Sequence, residues 1–363
     1  MFFDGKREPA RGRGDTRGVR LLRTLAGVEG AVLEGSGAGL RSCPSRGTRL
    51  SEHVSTAIRK IAIVGTGAIG GYYGAMLARA GNDVWFQARS DLDVLRRDGL
   101  EVTLPQGHFV LNPVRAFGTA AEIGPCDLVI IALKATGNDA LATLIPPLLH
   151  PGTVLLTLEN GLGSDELLAE QFGAERVVGG LCFICVNRTG PGKIWCIQSG
   201  SLSLAEFGRP AGERVRGIAA LFAAAGITCT AADNLAELRW KKLVWNVPFN
   251  GLAIAAGGVT TDVILANPAL EAEVRALMFE VMEAAARLGY RLPEAFAERQ
   301  IQATRPMGPY KPSSLIDYLA GRHVEVEAIW GEPLRRAQSA GAPMPRLALL
   351  YALLTQLTRR VRA

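Results

Sequence analysis

The sequence predicts an α/β chain in which a doubly wound parallel sheet is followed by an all-helical domain. From residue 60 onward, short apolar runs alternate with helical segments, which is typical of parallel strands joined by crossover helices. From Leu235 to the end of the chain the pattern is helical only. The 363 residues, of which 48% are hydrophobic and 20% charged, suffice for two globular domains.

The first part of the chain, residues 1–58, differs from the rest because it is rich in Gly, Arg and Ser and shows little periodicity. Such a composition cannot bury enough apolar surface to offset the entropy of ordering, so we expect a disordered or irregular extension. A targeting peptide would also be Arg-rich but poor in acids, whereas Asp15 and Glu29 interrupt this segment. The sequence leaves its role open.

The expected strands of the sheet are apolar runs bounded by polar or glycine-rich segments. Those expected to be parallel are 61–64, 83–86, 128–133, 154–158 and 177–178. Two further runs, 181–184 and 202–205, resemble antiparallel additions.

No strand is expected after Gly226, so we place the domain boundary near 226–234. This divides the chain into an extension over 1–58, a sheet domain over 59–230 and a helical domain over 231–363. The helical domain is expected to begin with a helix near Leu235. Its further expected helices are 270–288, 315–322, 324–340 and 347–361.

Composition and charge exclude several classes of function. The formal net charge of +6 is modest and no basic stripe is interleaved with aromatic residues, so nucleic acid is not an expected partner. No apolar run approaches the ~18 residues that indicate a membrane span, so no membrane association is expected. The six cysteines are scattered in apolar context, which suits reduced thiols in a soluble, cytoplasmic protein.

Neither a metal site nor thiol redox chemistry is expected. Cys182 and Cys185 have the spacing of a redox motif, but they lie inside an apolar, strand-like run rather than at a helix start. The histidines are scattered, and none has metal-ligand spacing with another: His53, His108, His150 and His323.

A glycine-rich loop follows the first expected strand, with Gly65, Gly67 and Gly70 in the spacing G-x-G-x-x-G. The first glycine allows a tight turn, the second lets the backbone approach a pyrophosphate, and the third allows helix and strand to pack closely. Because a strand, a helix and a return strand lie within one βαβ length, the loop predicts a Rossmann dinucleotide-binding domain. A glycine turn that serves packing alone is the alternative. The expected cofactor-binding residues of the loop are Gly65, Thr66, Gly67, Ala68, Ile69 and Gly70.

The end of the second strand indicates which dinucleotide binds. NAD-binding domains place an acidic residue there to accept the ribose hydroxyls, whereas this chain has Gln87-Ala88-Arg89. The Arg89 guanidinium suits the additional phosphate of NADP by charge and by geometry, so NADPH is the expected cofactor. An exposed loop arginine without this role is the alternative.

Polar residues follow two other expected strands, at the edge where ligands bind in open parallel sheets. Lys134 follows the apolar run that ends at Leu133, and Asn160 follows the run that ends near Glu159. Each is compatible with ordinary turn chemistry. Together they place an ammonium and a carboxamide at the edge that is expected to hold the cofactor.

The first helix of the second domain carries a polar stripe. Lys242, Asn246 and Asn250 recur every four residues within otherwise apolar sequence, which places them on one helical face. The solvated face of an ordinary amphipathic helix shows the same spacing. Apolar residues surround the stripe, however, so we expect a helix that is buried nearly all round and a ligand site along the stripe.

The boundaries of this helix are predicted by its capping residues and by a proline. Asp233 or Asn234 is the candidate N-cap, and Glu237 follows Asn234 at the spacing of a capping box. Pro248 removes a backbone donor between the two asparagines, so we expect the helix to bend there.

In these motifs the chain resembles the ketopantoate reductase (2-dehydropantoate 2-reductase) family, over roughly residues 59–357. The motifs are specific in combination and in order, although no single member is. They are residues 65–70, Leu133-Lys134, residues 159–163, residues 240–246 with Asn250, residues 312–314, and Glu325.

The resemblance implies a Rossmann domain followed by a helical domain similar to that of 6-phosphogluconate dehydrogenase. It also implies NADPH-dependent reduction of ketopantoate, a small anionic 2-oxoacid, to (R)-pantoate on the route to pantothenate and coenzyme A. The residues that it implies are catalytic Lys242 and Glu325, substrate-binding Asn160, Asn246, Asn250 and Ser314, and cofactor-binding Arg89, Lys134 and Asn160.

The chemistry of ketone reduction assigns roles to two of these residues. Hydride transfer to a carbonyl carbon leaves negative charge on its oxygen, which an ammonium such as that of Lys242 can stabilise and then protonate. A carboxylate beside that ammonium would hold it in place, and this is the role we expect for Glu325. Thr136 and Gly137 depart from the family pattern, as does Pro248, which leaves the size of the pocket and the identity of the substrate open.

Three alternatives to ketopantoate reduction remain at the level of sequence. The chain could reduce another 2-oxoacid or a related ketone. It could resemble the 3-hydroxyacid dehydrogenases, although the Gly-rich helix that precedes their catalytic lysine is absent before Lys242. It could also bind a dinucleotide as a sensor without turnover.

The apolar residues of 347–357 exceed one narrow helical face, which indicates a homodimer.

Overall fold

The computed structural model of the protein describes residues 58–359. The predicted N-terminal extension lies outside these residues except for Ile58, as does the end of the helix predicted to reach Val361. The described part consists of a mixed sheet flanked by helices, followed by a helical region.

The strands form one ten-stranded sheet. They are β1 Lys60–Val64, β2 Asp83–Gln87, β3 Leu100–Leu104, β4 Gly107–Leu111, β5 Ala116–Phe117, β6 Leu128–Ile131, β7 Val154–Thr157, β8 Val177–Gly190, β9 Lys193–Glu206 and β10 Thr228–Ala232.

The α-helices of the sheet region are α1 Ala68–Arg79, α2 Leu92–Asp98, α3 Ala120–Ile123, α4 Leu141–Leu144, α5 Ser164–Phe172 and α6 Glu213–Ala224. Those of the helical region are α7 Leu235–Ala255, α8 Thr261–Ala266, α9 Pro268–Arg287, α10 Ala295–Thr304, α11 Ser313–Leu319, α12 Glu332–Ser339 and α13 Pro345–Thr358.

The parallel part of the sheet has the doubly wound order β8-β7-β6-β1-β2-β5. Ile61 in β1 lies opposite Val84 in β2 on one side and opposite Leu128 in β6 on the other. The chain therefore winds outward in both directions from β1, and the switch point lies between β1 and β6. Ligands bind outside the carboxyl ends of the strands at such a point.

The sheet continues beyond β8 as the antiparallel extension that the sequence predicts. β8 and β9 form a long hairpin in which Cys182 lies opposite Leu202. The hairpin β3–β4 pairs with the first half of β9, and β10 pairs with the second half in parallel.

The expectation that no strand follows Gly226 is wrong, because β10 extends over Thr228–Ala232. Its alternation of exposed and half-buried residues is weak as a sequence signal, and the strand is held by pairing with β9. The β3–β4 hairpin and β5 were also not predicted, since these short strands depend on pairing with neighbouring strands for stability.

The helix predicted over 324–340 is confirmed from Val326 onward, but its start is two residues late and its first turn is π-helical. Residues 322–325 form a loop, a π-helical turn spans Glu327–Gly331, and only then does α12 begin. The loop places Glu325 at the junction with the sheet. A π-turn inside helical sequence is frequent at functional sites.

Helix α7 is one continuous helix that includes Pro248, and most of its residues are buried, as predicted. Asn234 is the N-cap, and its side chain accepts a hydrogen bond from Glu237 N at 3.0 Å. The core around α7 includes Trp240, Phe249 and Trp330. Replacing one of these large side chains by a small one would leave a cavity and destabilise the protein.

Membrane-spanning helices, metal-binding groups and the state of the cysteines can be assessed within the described part of the chain. Within residues 58–359, no helix is both long and apolar enough to cross a membrane. No group of three His, Cys, Asp or Glu side chains in that range could hold a metal ion. The five cysteines between residues 126 and 229 are free thiols.

We expect substitution of glycine by alanine to have opposite effects on stability at two helical positions. Gly217 lies exposed in α6, and a Cβ there would meet no atom within 4 Å, so Gly217→Ala should stabilise the protein by ~0.5–1 kcal/mol through helix propensity. At Gly251 in α7, a Cβ would lie 2.7 Å from Leu350 and 2.9 Å from Trp330 Nε1. Gly251→Ala should therefore destabilise it by about 1–3 kcal/mol. Urea unfolding of both variants measures this, and equal effects of one sign would contradict the packing at Gly251.

Candidate active site

The glycine-rich loop turns between β1 and α1 in a geometry that suits an approaching phosphate. Gly65 has φ +96°, and a Cβ there would lie 2.9 Å from the Ala132 carbonyl. A Cβ on Gly70 would lie 2.1 Å from the carbonyl oxygen of Gly65, so only glycine allows α1 to pack against the loop. A Cβ on Gly67, in contrast, would meet nothing within 4 Å. The loop is closed toward the protein and open at Gly67.

The N-terminus of α1 adds anion-binding capacity to this loop. Gly67 is the N-cap of a 12-residue helix and no side chain caps it, so backbone N–H groups of the first turn are available to a ligand. Thr66, Ala68 and Ile69 are partly exposed around the turn. Thr66 Oγ1 donates to the carbonyl of Gln87 at 2.9 Å, which ties the loop to the end of β2.

The other residues predicted to contact the cofactor lie at the same edge. Arg89 is exposed two residues after the end of β2, Lys134 follows β6, and Asn160 follows β7. Because the carboxyl ends of parallel strands meet at one edge, the loop and these three residues lie at the edge that contains the switch point.

Lys242 reaches from α7 to this edge of the sheet. Its Nζ donates to Asn160 Oδ1 at 2.7 Å and to the carbonyl of Cys182 in β8 at 3.0 Å. It also lies 5.6 Å from the centre of the Phe183 ring. The ammonium is therefore held by the end of β7 and by β8, with one hydrogen left for a ligand.

The surroundings of Lys242 make it a stronger acid than an ordinary lysine. Burial lowers the pKa of the Lys242 ammonium to about 8, and the positive charges of Arg239 and Lys134 act in the same direction. The Glu325 carboxylate opposes this shift and raises the pKa. A lysine with a pKa near neutrality can both donate and regain a proton at physiological pH.

Contrary to the expectation from the sequence, Glu325 does not form an ion pair with Lys242. Its Oε1 accepts from Ala135 N at 2.9 Å, and its Oε2 lies 3.5 Å from Lys134 Nζ. No carboxylate of residues 58–359 forms an ion pair with Lys242. The reason is that Glu325 enters from the loop before the π-turn and reaches the end of β6, where Lys134 and the Ala135 amide lie. Its influence on Lys242 is electrostatic.

Asp317 completes this charged cluster and was missed in the sequence. Its carboxylate is 5% exposed and accepts from Lys134 Nζ at 2.7 Å and from Arg322 Nε at 3.0 Å. Burial would lower the pKa of Lys134, but Glu325 and Asp317 outweigh it and raise the pKa. The spacing of Asp317 three residues after Ser314, on one face of α11, is the signal that could have identified it.

Both asparagines of the α7 stripe are buried. Asn246 and Asn250 are 8% and 1% exposed. Asn250 Oδ1 accepts from the backbone N of Ser314 at 2.9 Å, which joins α7 to the start of α11. Ser314 is itself buried. Two contacts therefore lie along α7, one between Lys242 and Asn160 and one between Asn250 and Ser314.

A buried ion pair that the sequence did not reveal fixes α7 against the sheet. Arg239 donates to Asp165 through Nε at 2.8 Å and through Nη2 at 2.7 Å. Its Nη1 donates to the carbonyl of Glu159 at 2.6 Å. Arg239 lies three residues before Lys242, and Glu159 directly precedes Asn160. The pair therefore fixes both partners of the Lys242–Asn160 hydrogen bond.

The Glu159 side chain forms a second buried carboxylate at the end of β7. It is 2% exposed and accepts from Thr157 Oγ1 at 3.3 Å. With the Asn138 amide nitrogen turned toward it, Asn138 donates to Glu159 Oε1 at 2.8 Å and accepts from Ser164 Oγ at 3.0 Å. Burial raises the pKa of Glu159 to about 7, and the Glu325 carboxylate acts in the same direction.

A cavity of about 470 Å³ opens beside these residues. Its walls come from the segment after β6, the turn before α5 and the loop that carries Glu325. It therefore lies between the sheet region and the helical region, next to Glu325, which is a common position for small-molecule sites.

Family models match most of the described chain. Residues 61–209 match the model "Ketopantoate reductase PanE/ApbA", and residues 234–358 match "Ketopantoate reductase PanE/ApbA C terminal". A 2-dehydropantoate 2-reductase of a Nostoc species is 40% identical over 298 residues, which cover 81% of this chain and 93% of the relative.

Solved structures agree with these matches. The 2-dehydropantoate 2-reductase of Geobacter metallireducens is 42% identical, has a TM-score of 0.80, and covers 82% of this chain and 99% of its own. The enzyme of the same name from Methylococcus capsulatus is 35% identical with a TM-score of 0.78, over 84% of this chain and 98% of its own. The glycine-rich loop, the lysine at the sheet edge and these matches together place the chain in the ketopantoate reductase family of dinucleotide-binding oxidoreductases.

Proposed function

We propose that this protein reduces 2-dehydropantoate (ketopantoate) to (R)-pantoate with NADPH. The observation that carries the proposal is the Lys242–Asn160 hydrogen bond, because it places a partly buried ammonium of lowered pKa at the edge of the sheet where a dinucleotide binds. Relatives at 40% and 31% identity, both named 2-dehydropantoate 2-reductase, support ketopantoate as the substrate.

The residues around the glycine-rich loop fit a bound dinucleotide phosphate. The space at Gly67 and the uncapped N-terminus of α1 suit a pyrophosphate. Arg89 lies exposed after β2 and suits the 2′-phosphate that distinguishes NADPH from NADH. Lys134 is half-exposed and would add a further positive charge. The nicotinamide of such a cofactor supplies the hydride for ketone reduction.

Lys242 supplies the proton in the proposed reaction. As hydride adds to the ketone carbon, the carbonyl bond opens and its electron pair moves to oxygen. The Lys242 ammonium stabilises that charge by a hydrogen bond and then transfers its proton to the oxygen, giving the alcohol and a neutral amine. The amine regains a proton from solvent. Asn160 and the Cys182 carbonyl keep Nζ in position throughout.

The remaining polar residues are assigned to substrate binding. Asn246, Asn250 and Ser314 can hydrogen-bond the carboxylate and hydroxyl of ketopantoate. Glu325 is assigned to a polar group of the substrate and to orienting Lys134 rather than Lys242, which follows from its contacts. Because Asn250 already binds Ser314 N, it also positions α11 within the site.

Replacement of Lys242 tests the proposed catalytic role. Lys242→Ala should lower kcat for NADPH-dependent reduction of ketopantoate by about 10²–10⁴, because the developing charge loses both its stabiliser and its proton donor. Stopped-flow or steady-state NADPH absorbance measures the rate, and titration of NADPH fluorescence measures binding, which should persist.

The matched control for this variant is Lys241→Ala. Lys241 neighbours Lys242 but pairs with Glu237 at 2.8 Å, so its loss should leave kcat within about twofold. A wild-type protein that binds NADPH but reduces no 2-oxoacid would refute the enzyme and favour a sensor. Equal loss in both variants would refute the specific role of Lys242.

The pH dependence of the reaction follows from the lowered pKa of Lys242. Reduction needs the ammonium form, so kcat should be constant below a pKa of about 8 and fall about tenfold per pH unit above it. Pantoate oxidation needs the amine form and should show the opposite dependence. Glu159→Gln removes the buried carboxyl whose pKa is about 7 and should keep this transition. A transition above pH 10 in the wild type would contradict a buried Lys242.

We also propose a homodimer formed through α13. Leu349 and Leu353 lie four residues apart on this helix and are 64% and 46% exposed, which is an apolar stripe without a partner in the described part of the chain. Light scattering should give twice the mass of one chain, and Leu349→Glu combined with Leu353→Glu should give a folded monomer. A monomeric wild type at micromolar concentration would refute the dimer.

A further inference from the structure

The segment after β2 contains an acidic residue whose carboxylate is occupied by the β8–β9 hairpin. Asp91 is 5% exposed and lies two residues after Arg89. Its carboxylate accepts from Arg188 Nε at 2.8 Å, from Arg188 Nη2, and from Gly192 N at 3.1 Å. Ser90 Oγ also donates to it, at 2.9 Å. The four donors leave its oxygens unavailable to a ligand.

Helix capping does not explain this arrangement. Asp91 is the N-cap of α2, but its side chain accepts no hydrogen bond from the helix. Its backbone carbonyl makes the helical contact by accepting from Leu95 N at 2.9 Å. The carboxylate is instead directed across the loop to the hairpin.

The hairpin that carries Arg188 is itself well fixed. Arg188 in β8 lies opposite Ile194 in β9, and the carbonyl of Gly192 accepts from Glu101 N in β3 at 2.9 Å. Arg188 therefore reaches Asp91 from an anchored position. Burial alone would raise the pKa of Asp91, but the bonds from Arg188 and Gly192 outweigh it and lower the pKa. The carboxyl is ionised at neutral pH.

A free, ionised carboxylate at this position would lower the affinity for NADPH. Dinucleotide domains that prefer NAD use an acidic residue after the second strand to accept the ribose hydroxyls. A free Asp91 would repel a 2′-phosphate and would compete with it for Arg89. The ion pair with Arg188 removes both effects.

We propose that Arg188 is a specificity-determining residue for the cofactor. It acts through Asp91 as a positioning residue: by binding that carboxylate, it keeps the loop over residues 88–91 selective for a ligand with a 2′-phosphate. The inference rests on the proposed NADPH-dependent activity and adds a hairpin residue, distant in sequence from the glycine-rich loop, to the cofactor site.

Calorimetric binding of two cofactor fragments tests this role without turnover. Wild-type protein should bind adenosine 2′,5′-bisphosphate more tightly than AMP. Arg188→Ala should weaken the bisphosphate roughly tenfold and leave AMP nearly unchanged, because the freed carboxylate acts only on the 2′-phosphate. The ratio of kcat/KM for NADPH to that for NADH should fall by a similar factor, through KM.

A second substitution and a charge control make the test specific. Combining Arg188→Ala with Asp91→Asn should restore bisphosphate binding to within about threefold of wild type. The double variant lacks both Arg188 and the negative charge that would repel the 2′-phosphate. Arg97→Ala removes one positive charge from α2, where Arg97 is exposed and pairs with Asp98. This control should change neither binding constant by more than about twofold.

Each outcome separates the inference from the proposed function. A wild-type protein without preference for the bisphosphate would refute NADPH as the cofactor. A wild-type preference that Arg188→Ala retains would refute this inference alone. Equal weakening of both fragments, without rescue by Asp91→Asn, would show that the pair only stabilises the fold. If Arg188→Ala does not fold, Arg188→Gln gives the same comparison, because its amide can bind Asp91 without neutralising it.

Discussion

The buried ion pair between Arg239 and Asp165 is the contact on which the geometry of the site depends. It joins the first turns of α7 to α5, and the third nitrogen of Arg239 holds the carbonyl of Glu159. Removing either partner would leave a buried charge uncompensated, at a cost of about 3–5 kcal/mol. Since Lys242 lies one turn beyond Arg239 and Asn160 directly follows Glu159, this one arginine fixes the helix and the strand end that meet at the Lys242–Asn160 hydrogen bond.

The same arginine also influences the chemistry of Lys242. Burial is the main cause of the lowered pKa of that lysine, and the positive charge of Arg239 adds to it. The Glu325 carboxylate, which belongs to the cluster with Lys134 and Asp317, limits the shift. The position of Lys242 and the lowered pKa of its ammonium therefore both depend on contacts between the sheet and the helical region.

Much of the fold and part of the site could be predicted from the sequence. The doubly wound sheet, the glycine-rich loop and the buried stripe of α7 follow from local patterns, because each depends on residues close together in the chain. β10 was missed because it is stabilised by its pairing with β9. The partner of Glu325 was also missed, since an ion pair between residues 134 and 325 depends on how the π-turn places a loop. Arg239 and Asp165, 74 residues apart, carry no sequence signal of their mutual contact.

Strand β8 connects the two ends of the site through a single stretch of backbone. The carbonyl of Cys182 accepts from Lys242, and six residues later Arg188 binds the loop beside Arg89. An extended strand rises ~3.3 Å per residue, so these points are about 20 Å apart. The distance between the proposed proton donor and the proposed adenosine end of the cofactor site is thus set by the extended backbone of β8, modified only by the bulges within the hairpin. Repacking of side chains can change the affinity at either end, but it can alter this length very little.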